Sequence, residues 1–178
     1  MMRKDKKTIL GHYLSPLVYG ANDGIITTFA VISGATGAAL TLEVIIILGI
    51  ANLFADGFSM GVSNYLSMKS QREYEEQRSG EPVMTHQDPA KHGLATFSAF
   101  VLAGSLPLVP FLFLNPTGNQ QFIVSAIATA AAFYIVGSLR SYILDKPGWR
   151  AGLEMLLIGG AAAAIAFSLG WAVDAYLV

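Results

Sequence analysis

The sequence predicts an all-α integral membrane protein of five transmembrane helices, with its N-terminus in the cytoplasm and its C-terminus outside. Three observations carry that prediction. Of the 178 residues, 53% are hydrophobic and only 13% charged, and soluble domains carry about twice that charge. Five apolar runs each approach or exceed the roughly 20 residues needed to cross a bilayer. Once those runs are threaded, all 11 Lys and Arg residues fall on one side, which the excess of basic residues in cytoplasmic loops identifies as the inside.

The five spans are expected at 17–40, 42–68, 94–114, 122–142 and 152–176. Ahead of the first stand Arg3, Lys4, Lys6 and Lys7, a start similar to the basic region of a signal peptide. The following stretch carries His12, Pro16, Asn22 and Asp23 without a small-residue cleavage site, so it reads as retained helix. A tight turn near Thr41 joins the first two spans into a hairpin. Residues 69–92 form the one sizeable polar segment, a short cytoplasmic loop into which the second helix extends, with Lys69, Arg72, Arg78 and Lys91. The turn Pro116-Thr117-Gly118-Asn119 joins the third span to the fourth, and Arg140, Lys146 and Arg150 surround the connection to the fifth. The Ala-rich run 159–166 suits close helix packing. The whole chain is thus a single transmembrane domain.

With no cysteine, disulfides, thiolate metal sites and Cys nucleophiles are excluded. The chemistry rests instead on two aspartates inside the apolar spans. A charged side chain in hydrocarbon costs about 2.5–3.5 kcal/mol on insertion scales and marks function by default. Asp23 and Asp56 have no Lys or Arg within their own spans, so each must be protonated, hydrogen-bonded or neutralised by a bound cation. Counting from Thr41, Asp23 lies 18 residues before and Met60 19 after, which puts them level across the hairpin. Asn52, Asp56, Met60 and Asn64 repeat every four residues on one face of the second helix, expected to look inward at Asn22 and Asp23. Carboxylate and amide oxygens suit Mg²⁺ or Ca²⁺, and the Met thioether turns the preference toward softer ions such as Fe²⁺. Competition between protons and metal for the same carboxylates is a basis for exchange.

Each of these residues also has a plainer reading. Either aspartate can simply hydrogen-bond a neighbouring amide, and Met60 can be packing. Asn22-Asp23-Gly24 can mark a local break in the first helix that frees carbonyls as ligands. Gly57 and Gly61 permit close helix contact. Glu73 and Glu76, one turn apart in the extension of the second helix, can capture a cation at the pore entrance, or Arg72 and Glu76 can pair at i, i+4. His86 and His92 have no metal-ligand spacing, His12 is interfacial, and Glu154 can pair with Arg150.

The segments Tyr19-Gly20-Ala21-Asn22-Asp23-Gly24-Ile25-Ile26-Thr27-Thr28-Phe29-Ala30 and Ala51-Asn52-Leu53-Phe54-Ala55-Asp56-Gly57-Phe58-Ser59-Met60-Gly61 resemble the first two helices of the vacuolar iron transporter family. The likeness continues through Tyr65-Leu66-Ser67 and, more weakly, Leu156-Leu157-Ile158-Gly159-Gly160. It implies a five-helix protomer, a homodimer with its ion path at or near the subunit interface, and export of Fe²⁺, often Mn²⁺ too, by exchange with protons. Asp23 and Met60 fall on the family's metal-path positions, and Asp56 lies in its Ala-Asp-Gly motif. Metal is then substrate, with no resident cofactor, catalytic residue or nucleic-acid partner. Two departures stand out: Asn64 replaces an acidic residue, and the loop after the second helix is too short for the large cytoplasmic metal-gathering domain. The compact form resembles prokaryotic members, which implies a plasma membrane. The alternatives are a non-transporting membrane scaffold and a Mg²⁺-dependent membrane phosphotransferase, and the latter lacks the cluster of close aspartates such sites need.

Overall fold

The computed structural model describes residues 2–82, 88–113, 120–143 and 148–177. All regular structure among them is helical: α1 (Met2–Gly37), α2 (Leu42–Ser79), α3 (Pro89–Gly104), α4 (Val109–Phe113), α5 (Gln120–Ile143) and α6 (Gly148–Leu177). His86, Lys146 and the turn at 116–119 lie outside the described residues, as do the side chains of His12 and Arg140.

Three of these helices, α2, α5 and α6, are long and apolar enough to cross a membrane. Their outward surfaces are oily: Ile127, Leu157 and Phe58 are each about two-thirds exposed, which in water would be an aggregation surface and in lipid is an ordinary boundary. The other two expected spans look different for separate reasons. α1 is the most polar of the long helices in its middle, with Asn22, Asp23, Thr27, Thr28, Ser33 and Thr36, and it packs against α2, α3, α5 and α6. Other helices surround it, so it does not need an apolar exterior.

The third expected span, 94–114, is not one helix. α3 ends at Gly104, the chain turns through 105–108, and a five-residue α4 follows. Pro107 has no amide hydrogen to give to the carbonyl four residues back, so the helix ladder fails there. Tighter bonds replace it, with the Leu106 N–H on the Ala103 carbonyl at 3.2 Å and the Leu108 N–H on Ser105 at 2.9 Å. The carbonyl of Pro107 itself accepts the Ser125 hydroxyl of α5 at 2.6 Å, in a fully buried setting. A side chain from a neighbouring helix thus satisfies the backbone group that the break released, as the absence of water inside a membrane requires.

By contrast, α1 is continuous through Asn22, Asp23 and Gly24, so the local break considered there does not occur. Gly24 serves a different purpose. A Cβ on it would strike the backbone of Phe100, and one on Gly104 would stand 2.7 Å from the Gly24 carbonyl oxygen. α1 and α3 therefore meet backbone to backbone. Gly61 and Gly93 give α2 and α3 the same closeness, and Gly57 faces Phe97 and Phe100 on that side.

Two apolar layers flank α1. Ile32 and Ala35 join Ile45, Leu53, Phe100, Leu108 and Phe111 on one side, and Ile25 joins Ala132, Phe133 and Met155 on the other. At the ends, Asp88 caps α3 by accepting the Ala90 N–H at 3.0 Å, with Pro89 in the first turn. Gly80, at φ 71°, closes α2 with its N–H on the Glu76 carbonyl. Ala39, at φ 49°, reverses the chain between α1 and α2.

Candidate functional site

The geometry of the α1–α2 hairpin decides which residues share a level. α1 stops at Gly37 and α2 starts at Leu42, so the turn is centred before Thr41 and not on it. Residues equally far from those two helix ends should meet. Thr27 is 10 residues before Gly37 and Asn52 is 10 after Leu42; the Asn52 amide donates to the hydroxyls of Thr27 and Thr28 at 3.4 Å each. Asp23 and Asp56 are each 14 residues from their helix end, so the same register sets them at one level. Met60 is 18 residues from its end, as is Tyr19, and these two line one cavity.

The level expected for Asp23 with Met60 is therefore corrected by one helical turn: Asp56 stands opposite Asp23, and Met60 stands opposite Tyr19. The error came from taking Thr41 as the centre of a turn that lies almost wholly on its α1 side. The corrected register brings the two carboxylates together and puts the thioether one turn nearer the charged end of α2.

The polar face of α2 is also not turned fully inward. Its wholly buried stripe is Ile45, Gly49, Leu53, Gly57 and Gly61, which the glycines fit to α3. Asn52, Asp56, Met60 and Asn64 form the neighbouring stripe, half-buried at the edge of the packing. Asn64 reaches α3, where its amide donates to the Thr96 hydroxyl at 2.9 Å. Beyond that edge Ser59, Ser63 and Ser67 are exposed at four-residue spacing. With Tyr19, Met60 and Asn64 these serines line a half-open cavity of about 390 Å³. It extends from one turn beyond the aspartate pair toward the charged end of α2.

Around the pair, oxygen atoms are plentiful. Asn22 Oδ1 is buried without a hydrogen-bond partner, next in sequence to Asp23. Asp23 and Asp56 are half-buried. Two carboxylates with a free amide oxygen can hold a divalent ion, and a thioether lies one turn along its path. Among the described residues no three His, Asp or Glu side chains converge to hold a metal.

Glu73 and Glu76 do not face one another as a ligand pair. Arg72 Nε lies 3.0 Å from Glu76 and Lys69 lies 3.8 Å from Glu73, both pairs largely exposed. His92 is buried on α3, with its ring 4.8 Å from that of Tyr13. Arg150 lies over the Trp149 ring at 5.2 Å. The sequence reading missed Tyr19, Thr27, Thr28 and the three serines. Their signal was present in the four-residue repeat of Ser59, Ser63 and Ser67 and in distances counted from the helix ends.

Comparison with known proteins fits this geometry. The model of the VIT family matches residues 14–82 and 76–171. A vacuolar iron transporter 1 from Eucalyptus grandis is 26% identical, over 96% of this chain and 90% of its own length. A vacuolar iron transporter from Plasmodium falciparum is 27% identical over 88% and 81%. A vacuolar iron transporter homolog 5 from Oryza sativa is 29% identical over 89% and 79%. The first of these alignments runs to 226 positions, more than the 178 residues here, so that relative holds insertions which this chain lacks. The two stretches matched by the family model meet at residues 76–82, at the end of α2, beside the loop read as too short. With the family model matching nearly the whole length of the bundle, including both aspartates and the cavity below them, the chain belongs to the VIT family.

Proposed function

We propose that the protein exports Fe²⁺, and with it Mn²⁺, from the cytoplasm by exchange with protons. The observation that carries this reading is the register that sets Asp23 level with Asp56 across the α1–α2 hairpin, with a polar cavity that starts one turn beyond them and runs toward the charged end of α2. Two like charges held together without a Lys or Arg in either span need a positive partner. A divalent cation fills that role, and protons replace it when it leaves. Relatives named as iron transporters support the choice of metal, and none of those named above carries an enzyme name. A phosphotransferase is not favoured either by the two lone aspartates.

In this reading α1 and the α3–α4 unit complete a set of five crossings, with the N-terminus and the loop after α2 in the cytoplasm. Support comes from the one-sided placement of the basic residues and from the burial of α1 among its neighbours. The working unit is a homodimer. Ser59, Ser63, Ser67 and Tyr19 stand exposed on one protomer, and a second copy over that face would shield them from lipid and close the path. The inserted ions travel by Asn64, Met60, Asp56 and Asp23, with Asn22 and Asn52 as further oxygen donors. Glu73 and Glu76, paired with Lys69 and Arg72, take no part in capture. In a cell without vacuoles the membrane crossed is the plasma membrane.

Vesicles reconstituted with the protein, holding a metal-sensitive and a pH-sensitive dye, test the proposal against a panel of Fe²⁺, Mn²⁺, Co²⁺ and Zn²⁺. Metal flux with opposite proton movement is expected, and Asp23→Asn should abolish both while the dimer survives. Normal flux in that variant would leave only a scaffold reading for the two aspartates.

A further inference from the structure

A second cavity opens between α2 and α3 and shares no residue with the polar one. Its floor is the close contact of Gly61 with Gly93, where a Cβ on Gly93 would stand 2.6 Å from the Gly61 carbonyl oxygen. Phe58, Val62 and Tyr65 form the α2 wall, and Ala90, Leu94 and Phe97 form the α3 wall. The groove holds about 300 Å³ and is open to the side, since Phe58 and Leu94 on its rims are each about two-thirds exposed. α2 is long and apolar enough to cross a membrane, so this opening faces lipid.

One end of the groove is charged. Phe58, Val62, Tyr65, Lys69 and Arg72 follow one another at three- and four-residue spacing, so the α2 wall runs on along one stripe into two cations. On α3, Lys91 stands next to Ala90 and one turn before Leu94. The three ion pairs found among the described residues share one polarity: Lys69 with Glu73, Arg72 with Glu76 and Lys91 with Asp88. In each, the cation lies on the groove side of its acid by three or four residues. Both lysine pairs are 3.8 Å long, beyond direct hydrogen-bond length. Both lysine side chains are also more than half exposed, so each ammonium has donors for a further anion.

We propose that the groove seats one acyl chain of an anionic phospholipid, with the headgroup phosphate on Lys69 and Lys91. The order of chemistry along the two helices matches that molecule: apolar walls, then cations, then acids set farther out, where they do not repel the headgroup. From Phe58 to Tyr65 the groove runs roughly 10 Å along α2, which takes the part of a chain nearest the headgroup. Lipid tails are as apolar as the walls, so the chain is held by fit. Choice among lipids falls to the charges at the rim. The site lies on a face of α2 other than the one given above to the partner protomer, and it does not depend on the movement of metal.

Native mass spectrometry of the full-length protein in detergent, titrated with phosphatidylglycerol or phosphatidylcholine of identical acyl chains, reads both lipid adducts and oligomer mass. Each lysine near a headgroup is worth about fivefold in affinity, so phosphatidylglycerol should bind at least about tenfold more tightly. Lys69→Gln with Lys91→Gln should bring the two lipids within about threefold of one another. Val62→Trp, at an exposed position on the rim, fills the groove and should weaken the binding of both lipids by about fivefold or more. An unchanged helical signal in circular dichroism shows that both variants are folded. Equal affinity of the unsubstituted protein for the two lipids, or a preference that survives the double substitution, would overturn the headgroup site. Lipid binding unchanged in Val62→Trp would overturn the groove, and a fall in oligomer mass alongside it would assign the groove to a second copy of the chain.

Discussion

Replacing Asp56 by Asn keeps the shape of the side chain and removes one of the two facing charges. Two unit charges 4 Å apart interact by about 1 kcal/mol in water and about 4 kcal/mol at the effective dielectric of a protein surface, and a divalent ion doubles both figures. Asp56 is half-buried, and the ion regains hydration when a ligand is lost, so the lower part of that range applies. A loss of about 3 kcal/mol raises the apparent Kd for metal roughly a hundredfold. Metal titration of the detergent-solubilised protein reads the shift. A Kd within about threefold of wild type would refute the register that sets Asp56 opposite Asp23.

Three further outcomes follow from the same structure. Met60→Ala should slow Fe²⁺ flux more than Mg²⁺ entry rises, because the thioether at the cavity discriminates soft from hard ions; vesicle assays with both ions check it, and equal effects would make Met60 packing alone. Ser125→Ala should destabilise the bundle by about 1–3 kcal/mol, since the Pro107 carbonyl loses its buried donor, and a thermal melt in detergent measures the loss. Glu73→Gln with Glu76→Gln should change the KM for metal by less than about threefold, because both acids are spent on exposed ion pairs worth at most about 1 kcal/mol. A larger rise in KM would restore them as a capture site.

The parts of this molecule that could be read in its sequence are those governed by local chemistry. α2, α5 and α6 announce themselves as long apolar runs, and Asp23 and Asp56 stand out because a charge in oil needs a reason. What could not be read depended on where helices stop. The position of the turn after Gly37 shifts the hairpin register by a full turn, and hydropathy does not report it. Pro107 and Pro110 in the third run were visible, but apolar character on both sides masked the break until the backbone bonds were traced. The same holds for the α2 face. Counting by four finds Asn52, Asp56, Met60 and Asn64, and also Gly49, Leu53, Gly57 and Gly61 beside them, and only packing against α3 shows which stripe is fully enclosed.

The central position of α1 also bears on how such a protein is made. Its Gly34 lies against Ala166 and Gly170 of α6, so α1 is completed by a helix synthesised well after it. Until α6 is made, a segment bearing an aspartate and several hydroxyls has no permanent wall on that flank. The insertion machinery, or a transient companion, must shelter it while α2 to α5 are made, and truncation within α6 should condemn the nascent chain to quality control even with Asp23, Asp56 and Met60 already in place.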